Sequence, residues 1–266
     1  WKTECHHCEQ KKEYPASFVF DRSQHNFIDK KRIFNSVEDI TIVPVSHWLS
    51  GKVKESFLKK FRSKVIQNGI DLTTFYPKEY RDKIERLYNV TGKFIILGVA
   101  STWEKRKGLE EFVKLNELLD KEVYAIILVG LSESQIQKLP KSIIGIQRTE
   151  SVSQLADLYS GADVFMNPTL EDTFPTTNLE SLACGTPVIT YATGGSVESV
   201  HENTGVIIDK GDIHGLIRAI KIIESKGKSF YENSCRESAI VNFDRKIKFN
   251  EYLELYKNIL KNNNGE

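Results

Sequence analysis

The sequence has no apolar run approaching the ~20 residues that a membrane-spanning helix requires. Its longest runs, FIILGVA (94–100) and YAIILVG (124–130), are strand-sized. It has no excess of charge: 37 Lys+Arg stand against 36 Asp+Glu, a formal net charge of +1. That balance leaves no bulk electrostatic footprint for nucleic acid. Cysteine is scarce. Cys5 and Cys8 are close together, Cys184 and Cys235 are scattered, and the pattern is not a secreted disulfide framework. A reducing cytoplasm is the expected compartment, and no signal peptide is visible. A GxGxxG fingerprint is missing, so a turn built for a dinucleotide pyrophosphate is not supported. An initial methionine is missing too; the chain opens on Trp1 in a polar stretch and reads as a fragment or processed product.

What is present is ordinary for a globular protein with a real core: 266 residues, 40% hydrophobic and 27% charged. Residues 1–35 have no clear period, with room for one short helix. DITIVPVS (39–46) reads as a strand, and residues 47–58 have near-helical spacing. Residues 63–77 read as a strand and a turn, with Asn68-Gly69 tolerating positive φ. From Lys93 strand-like runs alternate with helical patterns: 94–100 with 107–120, 123–129 with 132–139, 143–147 with 151–160, 163–167 with 176–184, 187–190 with 195–201, and 205–208 with 212–225. The strands are continuous apolar runs, the mark of a parallel sheet covered on both faces. The expected class is α/β: a Rossmann-like, doubly wound domain over 78–243, preceded by a smaller part over 1–77 that ends in a linker. A final helix, 244–260, is expected to pack back through Tyr252, Leu255, Tyr256 and Ile259, with a frayed tail. Ligands of such a sheet bind beyond the C-terminal strand ends, near the switch in strand order.

Two of those loops carry chemistry. Lys105, Arg106 and Lys107 cluster just before a helix, where cations oppose the positive end of the helix dipole. They are either a solvated basic loop or an anion site, with Arg106 as a fork and Lys107 as a point charge. The second loop is LEDTFPTTNLE (170–180). Pro175 suits a helix start, and Thr177 with Glu180 fits a capping box. That local role leaves Asp172, eight residues before Glu180, unexplained. A helix start with open amides is a natural anion site, and flanking carboxylates suit hydroxyls on either side of a diphosphate. CHHC (5–8) is either half of a tetrahedral zinc site through Cys5 and Cys8 or an exposed loop. Cys184 is expected in the core.

The stretch DTFPTTNLESLACGTPVIT resembles the E-x(7)-E signature of retaining family 4 glycosyltransferases with the GT-B fold. VIQNGIDLTTFYP (65–77), ADVFMNPT (162–169) and TGGSVESV (193–200) are similar to three further stretches of that family, in the same order. TFPTTNLE with W-x-x-R-K-G resembles a bacterial subgroup tied to colanic acid or capsular polysaccharide. The resemblance implies that Glu180 holds the nucleotide ribose and Asp172 the donor sugar, at a position where the family has Glu. It implies that Arg106 and Lys107 meet the diphosphate, and that Thr176, Thr177 and Asn178 add phosphate contacts. Phe174, Pro175 and Thr149 complete the donor-binding set, with backbone at 147–149 facing the base. The implied activity is transfer of a sugar from a nucleotide-sugar, such as a UDP- or GDP-sugar, to a glycan or lipid-linked acceptor, with retention. No cofactor and no obligatory metal are implied, and no DxD-like acidic pair follows a strand. The implied location is cytoplasmic, with peripheral association at the inner membrane face. The upstream H-D dipeptide and glycine-rich acceptor loop of the subgroup are not found, so an N-terminal truncation is expected, and a nucleotide-sugar-binding fragment without turnover is the alternative. A nucleotide-sugar epimerase of the same fold fits NGIDLTTFYP and TFPTTNLE poorly.

Overall fold

The computed structural model describes residues 4, 5 and 20–264. The chain divides into two compact units, residues 1–66 and 67–266. The first holds α1 (Ser23–Asn35), β1 (Thr41–Ile42), α2 (His47–Lys54) and β2 (Arg62–Ser63), with β1 and β2 paired in parallel. Ser46 caps α2, its side chain accepting from the Leu49 amide at 3.1 Å. This supplies an acceptor for one of the amides that a helix start leaves open. Phe27 and Phe34 of α1 pack on the ring of Phe57.

The second unit is built of α3 (Arg81–Tyr88), β3 (Phe94–Val99), α4 (Leu109–Leu118), β4 (Tyr124–Val129), α5 (Glu133–Lys138), β5 (Ile143–Ile146), α6 (Val152–Gly161), β6 (Val164–Asn167), α7 (Thr176–Ala183), β7 (Val188–Tyr191), β8 (Gly205–Ile208), α8 (Ile213–Lys226), α9 (Lys228–Phe243) and α10 (Arg245–Asn264). Its six strands form one parallel sheet in the order β5-β4-β3-β6-β7-β8. Ile95, Ile96, Leu97, Ile127, Leu128, Val164 and Phe165 are buried in the core. Burial of each such side chain is worth about 1.5–3 kcal/mol, which is why apolar runs without alternation settle in the sheet. The order reverses between β3 and β6, so the loops after those strands diverge and leave a crevice at their C-terminal ends.

The α/β doubly wound class expected from the sequence is the one observed. Several elements differ. Residues 195–201 do not make a helix; TGGSVES closes with a 3₁₀ turn at Ser196–Ser199. The 63–77 segment is irregular beyond β2, with a single bridge between Ile70 and Asp244. The polar segment after Pro77 contains α3, which buries Ile84. The long helix α9 was also not expected. It buries Tyr231, Cys235, Ala239 and Phe243, and its Arg236 donates to the carbonyls of Phe75, Ala183 and Leu72. In α10 Leu255 is buried, whereas Tyr256, expected on the packing face, is exposed. Residues 265 and 266, expected to fray, lie outside the described residues.

Candidate donor site

A cleft of about 680 Å³ opens at the C-terminal ends of the strands, within the size range of small-molecule sites. Its floor is Val99, Ala100 and Ser101 after β3, with Val129 and Gly130 at the end of β4. One wall carries Gln147, Arg148, Thr149 and Leu155. The other carries Lys107, Asp172, Phe174, Pro175, Thr176, Thr177 and Glu180.

The loop after β3 is pinned from below. Trp103 is buried, donates its indole N–H to the Val129 carbonyl at 2.9 Å, and meets Phe112 edge to face. Lys105–Lys107 then make a 3₁₀ turn that ends on Gly108, at φ 76°. A Cβ there would lie 2.3 Å from the Pro168 carbonyl oxygen, so only glycine lets the two loops meet. The Arg106 carbonyl accepts from the Leu170 amide at 2.7 Å, tying the turn to the loop after β6. As a result Lys107 Nζ reaches Asp172 Oδ2 at 2.7 Å, both side chains being largely buried. Asp172 Oδ1 accepts from the Phe174 amide at 3.3 Å. The Asp172 carbonyl accepts from Gly195 at 3.1 Å. Gly194, at φ 54°, brings its own backbone so close that a Cβ would be 1.9 Å from that carbonyl oxygen.

The start of α7 is built differently. Pro175 occupies the N-cap and supplies no side-chain cap. Thr176 is exposed and Thr177 half-buried, both on the cleft. The expected Thr177–Glu180 capping box is not formed. The helix begins one residue before Thr177, so Thr177 sits inside its first turn rather than ahead of it. Glu180 instead accepts a hydrogen bond from Tyr159 Oη at 2.9 Å. Burial pushes the Glu180 carboxyl up from the usual carboxylate range, and the Tyr159 hydrogen bond partly restores it. Phe174 is buried against Phe243 at 5.9 Å between ring centroids.

Lys107, Asp172, Glu180, Thr176, Thr177, Phe174, Pro175 and Thr149 therefore line one cleft. Two expected residues do not point there. The Arg106 guanidinium pairs with Glu104 at 2.8 Å on the surface, with the Arg106 side chain 45% exposed. In a three-residue 3₁₀ turn successive side chains splay, and Lys107 takes the inward direction. Asn178 turns inward from the helix: it is fully buried, accepts from Asn167 and donates to Ser196 and Ser199. Its amide spans α7 and the turn after β7 and leaves nothing for a ligand. Cys184 is buried as expected, which raises its thiol to about 12. Of the CHHC cluster, Cys8 lies outside the described residues; Cys5 is half-buried, and the described residues hold no group of three or more potential metal ligands. Ser101, Gly130 and Tyr159 were not singled out from the sequence. For Tyr159 a signal existed: a tyrosine on an inward helical stripe brings a hydroxyl that needs a partner.

The family described as Glycosyl transferases group 1 matches residues 93–225, the stretch that builds this cleft. The chain belongs to the group 1 glycosyltransferases. Over 155 residues it is 31% identical to D-inositol 3-phosphate glycosyltransferase of Pseudarthrobacter chlorophenolicus, covering 53% of this chain and 37% of the relative. Over 225 residues it is 21% identical to UDP-Gal:alpha-D-GlcNAc-diphosphoundecaprenol alpha-1,3-galactosyltransferase of Escherichia coli, covering 79% and 58%. Over 243 residues it is 24% identical to the capsular polysaccharide biosynthesis glycosyltransferase CapM of Staphylococcus aureus, covering 85% and 63%. The chain thus spans roughly a third to two thirds of the length of these group 1 relatives. Sucrose-phosphate synthase of Thermosynechococcus elongatus superposes with a TM-score of 0.76 at 22% identity, covering 91% of this chain and 64% of that one. Anabaena Alr3699/HepE in complex with UDP superposes at 0.74 and 16% identity, covering 90% and 69%. The fold is that of the GT-B enzymes. No helix among the described residues is long and apolar enough to cross a membrane.

Proposed function

We propose that the 67–266 unit of this group 1 glycosyltransferase binds the nucleotide-sugar donor. The observation that carries the reading is the meeting, in one cleft at the strand-order switch, of a cation, two separate carboxylates and an uncapped helix start. The uncapped first turn of α7 and Lys107 suit a diphosphate. Glu180, on α7, accepts hydroxyls of the ribose. Asp172, on the loop after β6, accepts hydroxyls of the sugar. The wall at Gln147, Arg148 and Thr149 faces the base.

As the glycosidic bond of the donor breaks, negative charge grows on the departing phosphate. Lys107 and the amides of the α7 first turn are placed to stabilise it as it develops, and one such donor is typically worth ~3 kcal/mol of barrier. Arg106 joins them only after leaving Glu104. This division of labour uses no bound metal. Transfer proceeds with retention, to a glycan or lipid-linked acceptor of cell-surface polysaccharide, at the cytoplasmic face of the membrane. Support for the acceptor class comes from the Escherichia coli and Staphylococcus aureus relatives, whose names specify a diphosphoundecaprenol acceptor and capsular polysaccharide. Support for the donor class comes from the UDP complex of the Anabaena neighbour.

The test is calorimetry with UDP, GDP and ADP and their sugars, followed by assays of donor hydrolysis and sugar transfer. Saturable binding of one diphosphate over its nucleoside is expected. No binding of any of them sinks the donor-site reading. Binding without hydrolysis or transfer turns the chain into a nucleotide-sugar-binding module.

A further inference from the structure

Tyr159 is not among the residues that line the cleft, yet it is hydrogen-bonded to one that is. It is fully buried in α6. Its ring meets Phe165 edge-on at 5.3 Å and Phe75 at 6.2 Å between centroids. Its carbonyl accepts from Thr186 Oγ1 at 2.6 Å, and the Thr186 carbonyl in turn accepts from Ser181 Oγ at 2.9 Å. The backbone of Tyr159 is thus bound to the turn after α7, while its hydroxyl reaches back to Glu180, inside the same helix, at 2.9 Å.

We infer that Tyr159 is a positioning residue of the donor site, whose phenol selects the Glu180 carboxylate oxygen that faces the cleft. This rests on the donor-site reading above. The terminal torsion of a glutamate is broad and nearly two-fold, so a carboxylate beside a cleft has no inherent preference for either oxygen. A phenol whose ring is packed in the core supplies one. It engages Oε2 and leaves Oε1 as the acceptor for a ligand hydroxyl. The same bond favours the charged carboxylate. Burial favours the neutral acid, and a hydrogen bond to the anion opposes it. Cys184 lies one turn along α7, Lys107, Asp172 and Arg148 line the cleft with Glu180, and α9, packed on α7, carries Lys228, Glu232 and Arg236. None of them makes a hydrogen bond to the Glu180 carboxylate among the described contacts, whereas Tyr159 does.

A tyrosine that merely fills the core and a tyrosine that sets this acceptor differ in one readout. With the hydrogen bond gone, Glu180 protonates at higher pH, and a ribose hydroxyl loses its acceptor there. UDP, GDP and ADP are titrated calorimetrically into the wild-type chain, and the tightest is followed from pH 8 to pH 5 in Tyr159→Phe. We expect affinity to fall roughly three- to tenfold at neutral pH, the loss of about one hydrogen bond. The acid limb of the affinity profile moves to higher pH. Site-specific 3-fluorotyrosine at position 159 keeps the ring and makes a stronger donor, so the limb moves to lower pH; this variant decides the matter if Tyr159→Phe does not fold. A lower melting temperature with affinity and acid limb as in wild type overturns the positioning role, and so does an unmoved limb in the fluorinated protein. If Glu180→Gln loses binding while both Tyr159 variants follow wild type, this inference alone fails. If the wild-type chain binds none of the three nucleotides, the donor-site reading fails and this inference with it.

Discussion

The two acids of the cleft wall differ in what surrounds them. Asp172 sits on a loop held by glycine contacts, with a lysine as counterion at 2.7 Å. Glu180 sits on a helix, with a neutral phenol as partner and a carboxyl that burial pushes toward the neutral form. Similar charge is kept in the cleft by two different devices. Asp172 is stabilised by an opposite charge and must give that partner up before Lys107 meets a phosphate. Among the described residues Glu180 has no ion-pair partner to lose; it is preset for a hydroxyl, at a standing cost in desolvation. On the proposed donor reading, Glu180 contributes to binding at once, whereas Lys107 and Asp172 contribute only after exchange.

The sharpest way to break this contrast is Glu180→Gln. It removes the charged acceptor but leaves an oxygen for Tyr159. Nucleotide affinity should drop by ~1.5–3 kcal/mol, about ten- to a hundredfold by calorimetry. The same variant should melt higher than wild type at neutral pH. Because the folded-state pKa is raised, the ionised form opposes folding, and that penalty is complete only above the folded pKa. The gain should therefore fade as pH falls through the raised folded-state value and vanish below the ordinary value of 4.5, where both states are protonated. An unchanged affinity with a lower melting temperature would make Glu180 a structural residue. Next in size is Lys107→Ala. Since the ammonium is already engaged by Asp172, its net worth to a diphosphate is about 1 kcal/mol, roughly fivefold. Combined with Asp172→Asn the two losses should not add, and strict additivity would show that the pair is not coupled. The smallest effect belongs to Arg106→Ala. Its exposed pair with Glu104 is worth less than about 1 kcal/mol, and preference for diphosphate over nucleoside should survive. Loss of that preference would bring Arg106 into the phosphate site.

How much of this is legible before folding depends on which force sets each feature. The six strands read directly because burial on both faces demands continuous apolar runs. α9 does not: its buried residues Tyr231, Cys235, Ala239 and Phe243 recur at every fourth position, but the exposed Phe230, Ile240 and Val241 blur that stripe, and its place is set by α7. The cleft location follows from strand order alone. The meeting of the loops that carry Lys107 and Asp172 also follows from the sequence, though not their ion pair. Side-chain direction does not. Arg106 and Lys107 are neighbours of equal charge, and only the φ of Gly108 and its approach to Pro168 decide which faces inward. Asn178 reads as a ligand residue from its position at a helix start, but the hydroxyls of Ser196 and Ser199, which claim it, arrive from a turn eighteen residues on.

The Lys107–Asp172 ion pair makes the cleft its own counterion reservoir. A phosphate arriving there replaces one anion by another rather than filling a bare positive hole, so much of the attraction cancels, and with it much of the salt sensitivity. What is left to discriminate is the fate of the displaced carboxylate. Pyrophosphate strands it without a partner. A sugar diphosphate offers it hydroxyls at the moment it is released. On the proposed donor reading, the cleft thereby selects for the whole ligand, because the charged part alone is a poor match.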